Sequence, residues 1–502
     1  MTEKFLIWLN LSLFHFCFAY NFQKNYDAEL FAIIDSTDRP KKFFQEQNLV
    51  SFNKFWFYHD HIKKNVQSDI EYLKLFEKKY NIQLWKLIIN DRIFYNYNNF
   101  YKFTSDEILS IITQECRFYE KILDEIRPDY ILMHQPLLRH DLLFYELCKA
   151  MKIKTIITNP ANLGYKCFLS QKQNKLDPLK FDNSVSNIKT FEDLRDYLTS
   201  NSFKKQTSDF LQQTYSSKSG KLKAAKEFLF FSNNSNQNTH YTYFGRRKIP
   251  VLLNSINLAI KRKTRSSFLE KNSIKKIYDE PFIYFPLGSD PEASTLIASP
   301  LQNNQIEIIK QISKSLPIQY KLYVKEHPFQ EQRDWRKISF YKQIKEIPNV
   351  RFLHPSVETS ELYQKCSLVI TISGTAGLEA VFFGKPSILF GESNFSQIPS
   401  IFHSEKINEL PKLISTALES HVQLSDVTSF ITLLEESSFD FDYYNFITKK
   451  EQYFFFNGFL IDTPISIPKM QDFLDSTRND FQILVNEHIK KIQSINKIEK
   501  NY

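Results

Sequence analysis

The chain has 502 residues, of which 42% are hydrophobic and 24% charged, so a disordered or peptide-like chain is excluded. Five cysteines stand far apart without a CxxC pair, which excludes a disulfide framework and a zinc knuckle and favours a reducing, cytoplasmic compartment. The net charge of +9 equals the balance of residues 246–276 alone, where ten Lys and Arg accompany Glu270. The basicity is therefore one local patch, which disfavours nucleic acid as a partner.

The first 165 residues predict an α/β lobe. Apolar runs that end in turn residues alternate with stretches of helical periodicity, which is the pattern of βαβ units in an open sheet. The predicted strands are 5–9, 29–34, 129–134 and 154–158, and the predicted helices are 12–24 and 138–151.

Nothing in the sequence predicts a membrane-spanning segment, because no apolar run approaches the roughly 18 residues that a spanning helix needs. A secretory signal peptide over residues 5–20 is an alternative reading of the beginning of the chain. Glu3 and the polar residues inside the apolar stretch disfavour it.

Residues 166–280 are more polar and predict a helical insertion. It contains the basic segment 246–276, in which the apolar run 249–260 is followed by five residues with four positive charges. Such a helix suits contact with an anionic membrane surface. A solvated basic helix whose apolar side packs on the protein is the equal alternative.

In residues 281–405 apolar strand segments and helical stretches alternate most clearly, which predicts a second lobe of the Rossmann-like, doubly wound type. Its five predicted strands are 282–287, 320–325, 350–353, 368–372 and 387–390. Residues 406–502 predict a helical tail, in which Phe473, Phe481, Leu484 and Ile492 pack onto a lobe.

Glycine marks the candidate ligand site in the second lobe. The chain has only nine glycines, and Gly374 and Gly377 lie where the fourth strand of this lobe passes into a helix. Ser373, Thr375 and free amides there predict a phosphate site, and Glu379, one helical turn later, suits ribose hydroxyls. The alternative is that both glycines only let the helix pack closely on the strand.

His327 follows another strand end of the same sheet, and Pro328 fixes the turn after it. An imidazole at the carboxyl ends of the strands suits a phosphate or a sugar oxygen. The alternative is that His327 bonds only to its own loop. His354, followed by Pro355, repeats the strand-His-Pro pattern one strand later.

These motifs resemble the capsule polysaccharide biosynthesis family. The resemblance rests on the succession YVKEHP at 323–328, ITISGTAGLEA at 370–380 and GKPSILFG at 384–391. That family includes bacterial transferases of the acidic sugar Kdo with a two-lobed GT-B fold, and related patterns occur in sugar-nucleotide epimerases. The resemblance implies that His327 and residues 373–377 hold the phosphate of a nucleotide-sugar donor, with CMP-Kdo the first candidate, and that Glu379 holds its ribose.

Transfer of a sugar also needs an acid or base near the anomeric carbon. Asp290 and Glu292, in the loop after the first strand of the second lobe, are the candidates together with His327. The alternative is a solvated turn with capping carboxylates.

In the first lobe, Asn10, Ser12 and His134 stand at strand ends and are candidates to face a glycan or glycolipid acceptor, or else are structural turns. No metal and no cofactor is predicted, because no cluster of ligands has a recognisable spacing. The sequence thus predicts a glycosyltransferase acting on a surface polysaccharide or its lipid-linked precursor. The alternatives are a non-hydrolysing sugar-nucleotide epimerase and a non-catalytic nucleotide-sugar-binding partner.

Overall fold

Two sheets organise the protein, as the alternation of strands and helices in the sequence predicts. The computed structural model describes residues 2–94, 98–173, 175–177, 188–201, 217–231, 235–289, 293–327, 330 and 336–500. The strands are β1 Glu3–Asn10, β2 Ala28–Asp35, β3 Lys54–Phe57, β4 Tyr130–His134, β5 Lys154–Pro160, β6 Lys166–Ser170, β7 Phe282–Pro286, β8 Lys321–Lys325, β9 Val350–Leu353, β10 Leu368–Thr371, β11 Ser387–Leu389, β12 Ile401–His403 and β13 Ser438–Asp440.

Helices connect and cover the strands. In the first half of the chain they are α1 Phe14–Phe22, α2 Asp38–Glu46, α3 Ile70–Tyr80, α4 Leu84–Ile89, α5 Ser105–Ile126, α6 Arg139–Ala150, α7 Phe191–Ser200, α8 Lys218–Phe230, α9 Asn236–Thr239 and α10 Lys248–Asn272. In the second half they are α11 Ala293–Leu296, α12 Gln305–Ser315, α13 Ile338–Lys345, α14 Thr359–Lys365, α15 Ala376–Phe382, α16 Leu410–Glu419, α17 Leu424–Ser437, α18 Tyr443–Phe454, α19 Ile467–Ser476 and α20 Arg478–Lys500.

The first sheet has seven strands in the order β13-β6-β5-β4-β1-β2-β3. Its centre, from β5 through β4 and β1 to β3, is parallel, so the carboxyl ends of these strands meet at one edge. Strand β1 is buried on both faces because helices cover both sides of the sheet, and its sequence accordingly reads as an apolar run.

The second sheet is parallel throughout, in the order β12-β11-β10-β7-β8-β9. Strands β7 and β10 are neighbours although β8 and β9 lie between them in the chain, so the connections reverse direction between β7 and β10. In an open α/β sheet this reversal leaves a crevice at the carboxyl ends of the strands. The five strands predicted for this lobe are confirmed, and β12 is a sixth.

Residues 166–170 depart from the sequence expectation. A helical segment was predicted from residue 166 onwards, and this is wrong at its start, because 166–170 form β6, antiparallel to β5. Helices make up most of the described residues between 188 and 272, as predicted.

The tail packs on the first lobe. Phe473, Phe481, Leu484 and Ile492 are buried in one core with α1 and the first sheet, which confirms that these residues fasten the tail to a lobe. Strand β13 adds an antiparallel edge next to β6. Among the described residues, no helix is both long and apolar enough to span a bilayer.

Candidate active site

A pocket of about 140 Å³ lies at the carboxyl ends of β7, β8 and β10, in the crevice of the second sheet. Its wall includes His327, after β8, and Ser373, Gly374 and Thr375, after β10, so two strand ends contribute to one cavity. Glu379, on α15, also lines it. The sequence predicted this convergence from the positions of the residues at strand ends, and the roles assigned to them stay predictions.

The loop before α15 is held from two sides. The hydroxyl of Thr375 donates to Oε1 of Glu379 at 3.2 Å, and the hydroxyl of Ser393 donates to the carbonyl of Ser373 at 3.1 Å. Helix α15 begins at Ala376 and spans seven residues. Two turns align few peptide dipoles, so the start of this helix is not an anion site by itself.

Gly377 lies apart from the pocket. A Cβ atom on it would stand 3.4 Å from the hydroxyl oxygen of Ser387 and 3.4 Å from Cγ2 of Thr371, and its amide bonds to the carbonyl of Gly374 at 3.1 Å. Gly377 is not among the residues that line the pocket, and its predicted contact with a donor stays a prediction. Gly377 lets α15 approach β10 and β11 closely, which is the packing alternative for this residue.

A buried ion pair behind the pocket fixes the backbone of His327. Oε1 of Glu326 accepts from the amide of His327 at 2.7 Å and from the guanidinium of Arg336, and Oε2 accepts from the hydroxyl of Tyr341. Arg336 also donates to the carbonyl of Gly288. Because one network binds the loops after β7 and β8, Glu326 and Arg336 position two walls of the pocket at once.

Lys325 brings a cation into the wall beside His327. It is 5% exposed, and its Nζ donates to the carbonyl of Val357 and to the hydroxyl of Thr359 at 3.0 Å. Sequence analysis missed Lys325 because the alternation of a buried strand does not reveal which way its last side chain turns. An ammonium at this position adds the positive charge that the short helix lacks.

Glu379 is 7% exposed and lies beside two buried phenols, Tyr284 and Tyr363. Burial raises the pKa of both phenols above the usual range, and the charge of Glu379 raises them further, so both hydroxyls stay protonated as donors. Glu379 is thus an acceptor at the pocket wall, as the binding of ribose hydroxyls requires.

Asp290, Glu292 and Pro328 lie outside the described residues, so their predicted roles stay predictions. Gly288, just before this loop, is held by Gln305, which accepts from its amide at 2.8 Å and donates to its carbonyl at 3.2 Å. The hydroxyl of Ser289 is buried at the pocket wall and bonds to none of the described residues. A buried hydroxyl of this kind suits a ligand oxygen.

At the first sheet, Asn10 and His134 end neighbouring strands, and their Nδ2 and Nε2 atoms lie 3.4 Å apart. Nε2 of His134 is also 3.3 Å from Asp141. Ser12 is different: its amide donates to Asn10 at 3.0 Å and its hydroxyl accepts from the amide of Phe14 at 3.4 Å. Ser12 thus serves the turn into α1, whereas Asn10 and His134 are placed at the edge where acceptor contact was expected.

Sequence analysis missed a second group at this edge. Asp35, at the end of β2, lies 3.1 Å from Nε2 of His59 and 3.1 Å from Nε2 of His140. Burial opposes the charge of Asp35, but the two imidazoles outweigh it and lower the pKa of its carboxyl. Burial also disfavours the cationic form of His140, and the bond to Asp35 outweighs it, so the pKa of His140 is raised above 6.5. The signal in the sequence was the position of Asp35 at a strand end.

A larger cavity of about 380 Å³ lies between the first lobe and the segment 296–300 of the second. Lys86, Arg92 and Lys149 line it together with the acid Glu146. Arg92 donates to the carbonyl of Leu137 at 2.7 Å. Thr295 lines the smaller pocket and Leu296 the larger cavity, so the two volumes adjoin across one short segment.

Comparison with known proteins confirms the resemblance found in the sequence. A family model described as "Capsule polysaccharide biosynthesis protein" matches residues 193–401. This match covers β7–β11 and the whole smaller pocket. No curated protein matches the chain.

Solved structures with a similar arrangement include a UDP-GlcNAc 2-epimerase from Methanocaldococcus jannaschii, at 12% identity and a TM-score of 0.25, over 86% of this chain and 100% of that one. Another is Thermosulfurimonas dismutans KpsC, beta Kdo 2,7 transferase, at 12% identity and a TM-score of 0.28, over 64% of this chain and 89% of that one.

Proposed function

We propose that this protein is a glycosyltransferase of the GT-B type. It moves a sugar from a nucleotide-sugar donor, with CMP-Kdo the first candidate, onto a surface or capsular polysaccharide or its lipid-linked precursor. The observation that carries the proposal is the pocket at the carboxyl ends of the second sheet, where Lys325, His327 and Glu379 converge. The family match over residues 193–401 supports a role in capsule polysaccharide synthesis.

The chemistry of the pocket suits the two ends of a nucleotide sugar. Lys325 and His327 offer a cation and an imidazole to the phosphate, and Glu379 offers carboxylate oxygens to sugar hydroxyls. The same groups stabilise charge on the phosphate as it leaves, which is where a transferase lowers its barrier. In this proposal Asp290 or Glu292 supplies the carboxylate near the anomeric carbon.

The larger cavity is the proposed acceptor side. It adjoins the donor pocket through residues 295–296. Besides Arg139, which pairs with the buried carboxylates Asp91 and Glu115, three basic side chains line it against one acid, and this balance favours an anionic acceptor. We expect Lys86→Gln combined with Lys149→Gln to raise the KM for the acceptor about tenfold with the donor affinity unchanged. Lys74→Gln, at an exposed lysine on α3, is the matched control.

Donor binding tests the pocket directly. Isothermal titration against a panel of nucleotide sugars should find one donor whose affinity falls at least tenfold in Glu379→Ala and in His327→Ala, because each loses a hydrogen bond to a charged or polar ligand group. The controls are Glu361→Ala, an exposed carboxylate on α14, and His354→Ala, which pairs with Glu270. Unchanged affinity in both test variants would remove the pocket assignment.

Product analysis separates the transferase from its alternatives. A transferase releases free nucleotide only when a glycan or glycolipid acceptor is added. An epimerase converts the nucleotide sugar without an acceptor, and a non-catalytic binding partner leaves it unchanged. Either of these two results would overturn the proposed activity.

A further inference from the structure

The first half of α10 exposes large apolar side chains. Ile249 is 71% exposed, Leu253 61%, and Ile256 and Ile260 59% each. At about 100° per residue these four positions fall within about 60° of arc, so they form one stripe along the helix. Contiguous apolar surface of this kind marks an interaction site, because folding otherwise buries it.

Packing of α10 on its own protein does not account for the stripe. The buried residues of α10 are Arg265 and Leu269, and Val251 and Leu258 are half-buried. All four lie about 180° from the stripe on the helical wheel. The helix is therefore held by one face and presents the opposite face outwards, which disfavours the alternative of a solvated helix that packs by its apolar side.

Helix α8 extends the same surface. Nζ of Lys248, at the start of α10, donates to the carbonyl of Leu229, in the last turn of α8, at 2.7 Å. This bond brings the end of α8 next to Ile249. Phe230 and Phe231 follow at once and are 74% and 62% exposed. The two phenylalanines and the stripe on α10 together form what we call the apolar patch.

Positive charge stands at both ends of the stripe and is absent from its middle. Arg247 and Lys248 precede it, Lys261, Arg262 and Lys263 follow it, and residues 249–260 carry no charged side chain. Arg246 is set apart from these, because its guanidinium packs over the rings of Phe100 and Tyr243. The acids of the two helices are already engaged, Glu227 by Arg39 and Glu270 by Lys275. Long basic side chains at the ends of an apolar stripe can reach lipid phosphates while the stripe is buried.

We infer that the apolar patch docks on a lipid surface with anionic headgroups. The stripe enters the boundary between headgroups and acyl chains, and the two basic clusters bind the phosphates. A bilayer supplies an apolar layer beneath a layer of negative charge along the whole stripe, which is about 18 Å long at 1.5 Å per residue. This inference deepens the proposed function and rests on it in one respect, since it brings the enzyme to the surface that holds a lipid-linked acceptor.

Vesicle sedimentation of the full-length protein tests the inference. We expect binding to vesicles of phosphatidylcholine with about one-third phosphatidylserine, weakening as salt rises, and at least tenfold weaker binding to phosphatidylcholine alone. Leu253→Gln with Ile256→Gln should weaken binding to the anionic vesicles at least tenfold, and so should Lys261→Gln with Lys263→Gln. Leu75→Gln with Ile318→Gln, which changes two exposed aliphatic residues elsewhere, should leave it unchanged.

Three results would overturn the inference. The first is that the wild-type protein does not bind anionic vesicles. The second is that wild type and both patch variants bind these vesicles equally. The third is that light scattering finds a dimer of the wild-type protein, and that Leu253→Gln with Ile256→Gln dissociates it. Measuring nucleotide-sugar binding by the patch variants distinguishes a failure of this inference from a failure of the proposed function. If the variants bind the nucleotide sugar normally and lose only the vesicles, the patch is confirmed whatever reaction the pocket performs.

Discussion

Acidification from pH 7 to pH 5 should destabilise the protein through His488, a residue of α20 that is buried against the first lobe. Its side chain is 1% exposed, its Nδ1 donates to the carbonyl of Leu484 at 2.8 Å, and its ring lies 4.4 Å from the ring of Phe18. Burial lowers the pKa of His488 from 6.5 to about 4, although the bond to the carbonyl opposes the shift. The imidazole is therefore neutral in the folded protein at pH 5.

The sign and size of the effect follow from proton linkage. Because the folded pKa lies below the unfolded one, the unfolded chain takes up the proton first as the pH falls. The stability that neutral His488 preserves is complete above about pH 6.5 and is lost as the pH falls towards about 4. For pKa values of 6.5 and about 4, the loss between pH 7 and pH 5 is about 2 kcal/mol.

Urea unfolding at pH 7 and pH 5 measures this loss. His488→Asn keeps an amide donor near the carbonyl of Leu484 and removes the titrating group, so its stability should fall by about 2 kcal/mol less than that of wild type over the same interval. The quantity compared is the change in unfolding free energy between pH 7 and pH 5, so a loss of stability that is equal at both pH values does not affect the result. His403→Asn, at an exposed histidine of β12, is the control. An identical pH dependence in wild type and His488→Asn would refute the reasoning.

Three further substitutions have defined outcomes. Asp35→Asn should lower the pKa of His140 in an NMR titration of its imidazole, because the carboxylate that raises this pKa is lost. Arg139→Met should cost about 3–5 kcal/mol in urea unfolding, because two buried carboxylates lose their cation. Gly245→Ala should cost about 2 kcal/mol or more in the same assay, because its φ is +76° and a Cβ would stand 2.2 Å from the carbonyl oxygen of Phe100.

The sequence predicts the second lobe well because each of its inner strands is an apolar run that ends in a recognisable turn. Four strands were not predicted: β3, β6, β12 and β13. Strand β3 has only four residues. Strand β12 has only three residues, too few to show an alternation, and β13 likewise has three. Strand β6 lies between two antiparallel neighbours, and its pairing with β13 joins residues about 270 positions apart. Pairing over that distance is a property of the tertiary fold and leaves no local pattern.

At the site, the sequence could predict positions but not directions. His327, Ser373, Gly374, Thr375 and Glu379 follow strand ends, and the geometry of a parallel sheet brings strand ends together. The direction of a side chain depends on what packs around it, so the sequence revealed neither the cation of Lys325 nor the pair formed by Glu326 and Arg336. Gly377 shows the same limit, since a glycine at a strand end can face a ligand or a neighbouring strand.

The tail that packs on the first lobe has a consequence for how the protein is made. The core around α1 is completed by Phe441 and Phe481, which leave the ribosome only after the whole second lobe. Until then Phe14 lacks the two rings that cover it, although Phe16 can already pack on Phe43 and Phe44 of α2. The first lobe to be synthesised is thus the last to complete its core, and part of its hydrophobic surface stays exposed until the tail has been synthesised.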